Sequence, residues 1–269
     1  MNHSASSPRR VAIVTGAGRR IGRHIALTMA EQGWDIVVHF GTSAEEAASV
    51  VTAIQTLGRR AIALACDLSD EAATRRLFQD AQHHMDHIDC VVNNASLFEE
   101  DQASTVSHAA LNKHMHVNLA APLILAQALH AATPEGQQAC VINVLDQKLY
   151  NLNPDFFSYT LSKAALQCAT TMLAQAMAPK LRVVGVAPGI TMVSGHQSQE
   201  DFEQAHQATP LGRSSTPEDI ARTVCFIADS PAITGTTILV DGGQHLIPLQ
   251  RDVMFLATAK TTAATTTHS

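Results

Sequence analysis

Short apolar runs rich in β-branched residues recur along the chain, each followed by a longer stretch in which apolar positions return every three or four residues. The first pattern is that of a strand buried on both faces, the second that of a helix with one buried stripe. Strands are expected near 10–15, 35–40, 61–66, 88–92, 139–144, 181–186 and 236–240, and helices near 19–32, 43–57, 70–85, 107–131, 156–178 and 217–229. Pro217-Glu218-Asp219 is a good helix start, because proline presets φ and acidic side chains suit the first turn. Strands alternating with helices predict an α/β fold, a single domain built on a doubly wound parallel sheet of about seven strands. The folded domain should span 10–258. Residues 1–9 and 259–269 are polar or Thr/Ala-rich without apolar periodicity, and are expected to be disordered.

Composition narrows the function classes. A chain of 269 residues with 46% hydrophobic content can bury one sizeable core without a second domain. The net charge of −6, with no basic cluster larger than Arg19-Arg20 or Arg59-Arg60, argues against a nucleic-acid surface. Five cysteines without paired spacing read as free thiols in a reducing compartment. No apolar stretch approaches a membrane span and the start lacks a signal-peptide core, so a cytoplasmic protein is expected. His83, His84 and His87 have ligand-like spacing but sit at an expected helix end without further ligands, so no metal is predicted.

Three motifs carry chemistry. Thr15-Gly16-Ala17-Gly18-Arg19-Arg20-Ile21-Gly22 follows the apolar run Val11–Val14. Such glycines either make a simple tight turn or let the backbone approach a pyrophosphate at a helix N-terminus, and the strand before and helix after favour a dinucleotide. Asn93-Asn94-Ala95 follows the fourth expected strand. Tyr159 and Lys163, four apart on a helix, share one face, where a cation favours the phenolate and makes a phenol of ordinary pKa about 10 usable as a general acid. In this order the three resemble the short-chain dehydrogenase/reductase family from Arg10 to Gly243. That resemblance implies a Rossmann fold and a nicotinamide cofactor held by Gly16, Gly18, Arg19, Arg20, Ile21, Asn93, Asn94, Ala95, Ser96, Tyr159, Lys163 and the segment Pro188-Gly189-Ile190. It implies too that Asn118 holds a helix kink and a relay water, and that Lys163 binds the nicotinamide ribose and lowers the pKa of Tyr159. Arg20 stands where the family usually has a third glycine.

No acidic residue ends the second strand at His39-Phe40-Gly41-Thr42-Ser43 to accept from a ribose 2′-hydroxyl, which favours NADPH over NADH. Arg20, His39 and Ser43 are candidate donors to a 2′-phosphate. Asp67-Leu68 resembles the family's adenine contact, with an ordinary helix cap as the alternative.

Asp146 lies thirteen positions before Tyr159, where most of the family places a serine or threonine. An ionised carboxylate there would repel a forming alkoxide, whereas a carboxyl group suits a substrate with ring N–H donors or a ring nitrogen that must be protonated. Four segments narrow the resemblance to pteridine reductases and the bacterial dihydromonapterin/dihydrofolate reductase group: the glycine loop, Asn93–Phe98, the set Asp146/Tyr159/Lys163, and Val117–Pro122. In such enzymes an aromatic after Asn-Asn-Ala stacks the pterin. Phe98 holds that place here, unless it is a core aromatic, and Ser96 and Arg20 would contact pterin and phosphates.

The resemblance thus implies NADPH-dependent reduction of a pterin-like substrate at a ring C=N bond, with carbonyl reduction as the alternative. A cofactor-binding regulator should have lost Tyr159 or Lys163, and the fatty-acid ene-reductase branch has a longer Tyr-to-Lys spacing. Residues 192–208 are a substrate lid or an exposed loop with one helical turn. Ala-rich helices at 107–131 and 156–178 should pair between subunits in a homotetramer, with His245–Leu249 and Val253–Leu256 covering a neighbour.

Overall fold

The structure is a computed structural model and describes residues 9–193 and 198–252. The expectations for the two chain ends, the boundary at 258 and the segment Val253–Leu256 lie outside the described residues. Seven strands form one sheet: β1 (Arg10–Val14), β2 (Trp34–Phe40), β3 (Ala61–Ala65), β4 (Cys90–Asn93), β5 (Ala139–Val144), β6 (Leu181–Pro188) and β7 (Thr237–Val240). Their order is β3-β2-β1-β4-β5-β6-β7, with every neighbouring pair parallel. The helices are α1 (Arg20–Glu31), α2 (Ala44–Thr56), α3 (Glu71–Met85), α4 (His108–Met115), α5 (Ala121–Ala132), α6 (Phe157–Ala176), α7 (Gln199–Gln207) and α8 (Pro217–Ala228). This is a Rossmann-type, doubly wound single domain.

Successive strand residues point to opposite faces, so each strand feeds two apolar layers. From β1, Ala12 and Val14 pack with Ile25 and Met29 of α1, Val50 of α2 and Val224 of α8. Val11 and Ile13 pack on the other face with Leu77 and Phe78 of α3 and Leu125 and Leu129 of α5. Burying an aliphatic side chain of this size contributes roughly 1.5–3 kcal/mol, which is why the strands are continuous apolar runs rather than alternating ones. Helix α8 begins as its sequence suggests: Thr216 caps it and exchanges hydrogen bonds with Asp219, with Pro217 in the first turn.

Three features differ from or refine the sequence reading. The helix expected at 107–131 is α4 and α5 joined by a π-turn, His116–Ala120, which contains Asn118, where the resemblance implied a kink. Taken as one 25-residue stretch, His108–Ala132 is long and apolar enough to cross a membrane, contrary to the expectation that no segment is. In this fold its α5 portion buries Leu125, Ala126 and Leu129 beneath the sheet. The segment expected to hold one helical turn contains α7, nine residues long and N-capped by Ser198, whose hydroxyl accepts from Asp201 N. None of its residues is fully buried; Asp201, Phe202, Ala205 and His206 form a half-buried side that is only partly apolar.

The strand order reverses between β1 and β4, and the crevice beyond their C-terminal ends is where open α/β sheets bind ligands.

Candidate active site

The glycine loop leaves β1 on Thr15, whose hydroxyl accepts from Asn94 N (2.9 Å) and Ala95 N (3.0 Å). Asn94 Nδ2 donates to Thr15 O at 2.9 Å, so the loops after β1 and β4 are tied together. Gly16 turns with φ +65°, and a Cβ on Gly22 would lie 2.2 Å from Gly16 O. Arg20 adopts φ +52°, a left-handed conformation that glycine takes without cost; the backbone shape of the missing glycine is kept by an arginine. No side chain caps α1 and its first turn holds no acidic residue. Its N-terminal N–H groups and dipole therefore face the crevice as a ready anion site.

The second strand does not serve as expected. His39 is buried, its Nδ1 accepting from Gly16 N (3.1 Å) while Nε2 donates to Cys66 O (3.1 Å). Burial holds its pKa below the ordinary value, so it is a neutral scaffold residue and not a phosphate donor. Phe40 packs against the core. Arg20 Nη1 donates to Val193 O at 2.8 Å, toward the 192–208 segment rather than toward α2. Arg19 instead reaches α2, with Nη2 2.6 Å from Glu46 Oε1. Ser43 stands beside it, 2.9 Å from where a Gly18 Cβ would be, and makes no side-chain cap on α2. Asp67 is exposed with Ser69 N and Oγ on its carboxylate, and Leu68 is buried in the core; neither faces the cavity described below.

At the end of β5, Asp146 is half-buried. Its Oδ1 accepts from Lys148 N (2.8 Å) and its Oδ2 from the Tyr159 hydroxyl (2.7 Å). Lys163 Nζ donates to Val144 O at 2.7 Å and lies 5.8 Å from the Tyr159 ring centroid. Burial pushes the Asp146 carboxyl above its usual range, the Lys148 and Tyr159 hydrogen bonds opposing. Burial and then the Asp146 charge push the Tyr159 phenol well above its ordinary value. Burial brings Lys163 down to about 8. The expectation that Lys163 lowers the Tyr159 pKa is thus reversed: with the ammonium turned to Val144 O, desolvation and the neighbouring carboxylate win. Asp146 and Tyr159 form a proton-holding pair.

Asn118 sits in the π-turn with every hydrogen-bonding position of its side chain used. Nδ2 donates to Leu97 O and Ser162 Oγ (both 2.9 Å), and Oδ1 accepts from Leu97 N (2.7 Å) and Ser96 Oγ (3.2 Å). It fastens the loop after β4 to α6, and its side chain has no capacity left for a relay water. Asn93 likewise turns inward, donating to Asn143 across the sheet at 2.8 Å. Phe98 is 39% exposed, stacked on Phe156 (centroids 4.2 Å) and edge-on to Tyr159 (4.7 Å).

These parts surround one cavity of about 610 Å³, lined by Gly16, Arg19, Arg20, Ile21, Asn94, Ala95, Ser96, Phe98, Asp146, Tyr159, Lys163, Pro188, Gly189 and Ile190 among the expected residues. Gly18, His39, Phe40, Ser43, Asp67, Leu68, Asn93 and Asn118 do not line it. Sequence reasoning missed Gln147, Gln244 and Asp252, which do; so do Thr191, which continues the expected segment Pro188–Ile190, and Met192, which opens the expected lid 192–208. Gln147 adjoins Asp146, so adjacency was a usable signal for it. Asp252, more than a hundred positions from Asp146, had none. Among the described residues no group of three or more His, Cys, Asp or Glu is placed to hold a metal ion.

A family model described as enoyl-(acyl carrier protein) reductase matches residues 16–245. The chain is a short-chain dehydrogenase/reductase. Among curated relatives, an uncharacterized oxidoreductase of Methylorubrum extorquens is 34% identical over 242 residues, 87% of this chain and 97% of that protein. A hydroxynaphthalene reductase-like protein of Metarhizium brunneum is 31% identical over 265 residues, 90% of this chain and 99% of that one. Among solved structures, FolM, alternative dihydrofolate reductase 1 of Brucella canis, complexed with NADP, superposes with a TM-score of 0.86 at 40% identity, covering 90% of this chain and 96% of that one. The sheet and its helices match that neighbour, and the short-chain reductase is an oxidoreductase by family.

Proposed function

We propose that this short-chain reductase is NADP-dependent and reduces pterin-type substrates, dihydropterin to tetrahydropterin and dihydrofolate among them, at a ring C=N bond. The observation that carries the reading is the Asp146–Tyr159 hydrogen bond inside the cavity, with Phe98 edge-on to the same tyrosine. The dihydrofolate reductase named in the Brucella canis structure, and its bound NADP, support it.

The glycine loop fits a dinucleotide: a Cβ at Gly22 would fill the approach of helix to loop, and the uncapped start of α1 suits a pyrophosphate. Arg19 and Ser43 would hold a 2′-phosphate, Asn94 would hold the loop backbone, and Lys163 with Pro188–Ile190 would bound the nicotinamide end. When bound, the cofactor supplies a hydride to the ring carbon. The chain supplies the rest. The ring nitrogen takes up a proton, which would come from the Tyr159 hydroxyl, protonated at neutral pH, or from the Asp146 carboxyl hydrogen-bonded to it. A protonated Asp146 donates to a ring nitrogen, and an ionised one accepts from a ring N–H or amino group. Phe98 offers a half-exposed π face for a flat heterocycle.

Carbonyl reduction is the second reading, favoured by the hydroxynaphthalene reductase-like relative. Steady-state assays with NADPH against dihydropterins, dihydrofolate and a ketone panel separate the two. Asp146→Ser should lower pterin turnover by roughly a hundredfold or more while leaving NADPH affinity nearly unchanged. It should keep or raise ketone activity, since a neutral donor then faces the alkoxide. Tyr159→Phe should impair both. Intact pterin reduction in Asp146→Ser, or a wild type that reduces ketones and no pterin, would hand the site to the carbonyl reading.

A further inference from the structure

The chain returns to the cavity after β7. Arg251 Nε donates to both carboxylate oxygens of Asp155 (3.0 and 2.8 Å), and Asp252 N donates to Asp155 Oδ2 (2.6 Å). Residues 251–252 are thereby strapped to the segment that precedes α6. Asp252 lines the same cavity as Asp146, Phe98 and Tyr159, its side chain 14% exposed. One partner of its carboxylate is Lys148, buried in the short 3₁₀ turn Gln147–Tyr150, with Nζ 3.2 Å from Asp252 Oδ2 and donating to Asp155 O. A buried ion pair seldom stabilises a fold more than well-packed apolar residues would. One placed at a cavity wall, on a strap from a distant part of the chain, has its simplest use in binding.

We propose that Asp252 is a substrate-specificity residue which, with Asp146, presents two carboxyl groups to the N–H and amino donors of an amino-substituted nitrogen heterocycle. The inference rests on the pterin reading above and deepens it: a plain ketone has no such donors and gains nothing from a second carboxylate. Asp252 also lies close enough to the reacting pair for its charge to raise the pKa of both Asp146 and Tyr159. The charged and titratable groups around Asp146 are Tyr159 and Lys163 from α6, Lys148 from the 3₁₀ turn, and Asp252 from the strap.

Asp252→Asn keeps an oxygen for Lys148 and removes the charge. The expected result is a KM for a 7,8-dihydropterin raised about tenfold or more, with kcat and the NADPH Kd little changed. The limb of the kcat/KM profile that reports Asp146 should also move to lower pH, because a negative neighbour of Asp146 is gone. An unchanged KM would overturn the proposal, and so would a raised KM with that limb unmoved, which would make Asp252 a structural anchor only. If Asp252→Asn fails to fold, Asp252→Glu carries the test: it keeps the charge but displaces the carboxylate, so the dihydropterin KM should rise while the limb stays, and an unaltered KM would again refute the role. A wild type that reduces no pterin removes the pterin reading itself, a failure distinct from a pterin reductase indifferent to Asp252.

Discussion

Lys163, buried, and Asp146, half-buried at the cavity wall, have pKa values that move in opposite directions for the same reason, since desolvation disfavours the charged form of each. The consequence for Asp146 can be read in stability. Its folded pKa lies above the ordinary 3.8, so its contribution is fully present below that value and is lost as pH rises through the raised folded one. Asp146→Asn cannot ionise. Urea unfolding at a series of pH values should show the variant gaining on the wild type from acid to neutral pH; a constant difference between them would contradict the shift. A second test belongs to Arg19. Because it and Ser43, rather than His39 or Arg20, lie toward α2, Arg19→Ala should weaken NADPH by about tenfold, near 1.4 kcal/mol, and leave NADH nearly unaffected. Titration of the two nucleotides measures this, and Glu46→Gln, which removes the competing carboxylate at 2.6 Å, should shift NADPH the other way.

At the scale of elements, the contact between α1 and the glycine loop depends on one absent side chain. A Cβ at Gly22 would meet Gly16 O at 2.2 Å and Asn94 Nδ2 at 2.5 Å, and the first is backbone that cannot swing away. Gly22→Ala should therefore cost about 1–3 kcal/mol or more in thermal unfolding and weaken NADPH binding together with it. The π-turn is the other element with a single anchor. Asn118→Ala would leave Leu97 N without its acceptor, costing roughly 1–3 kcal/mol if left dry, and take one of two partners from Leu97 O and from Ser162 Oγ. Activity should fall through the loosened Ser96–Phe98 loop, with NADPH affinity largely retained. Strands and most helix ends were legible because their apolar periods are strong. The break at His116–Ala120 was legible only through the resemblance, which implies a kink at Asn118, and α7 was expected only as one turn, since its half-buried side is only partly apolar.

For the molecule as a whole, several large apolar side chains are exposed. Met172 (62% exposed) and Leu161 (40%) lie on α6 and Leu152 (66%) just before it. We expect these to be covered in a homotetramer. Light scattering at micromolar concentration should report four chains, and Met172→Glu should shift the distribution to smaller species; a monomeric wild type would refute the assembly. The order of apolar runs and helical periods by itself determined the α/β layering, because burial on both faces of a parallel sheet imposes that pattern on each strand. The glycine loop, Tyr159, Lys163 and Asp146 were equally legible, since each lies in a local motif of fixed spacing. Tertiary structure alone decided what those groups do to one another. Whether Lys163 or Asp146 governs the Tyr159 phenol depends on where an ammonium turns. Whether His39 meets a phosphate or the loop backbone depends on its depth. Asp252 reaches the cavity only because the fold brings the end of β7 back across it. Desolvation and charge act through space, and a linear sequence records spacing along the chain but not distance across it.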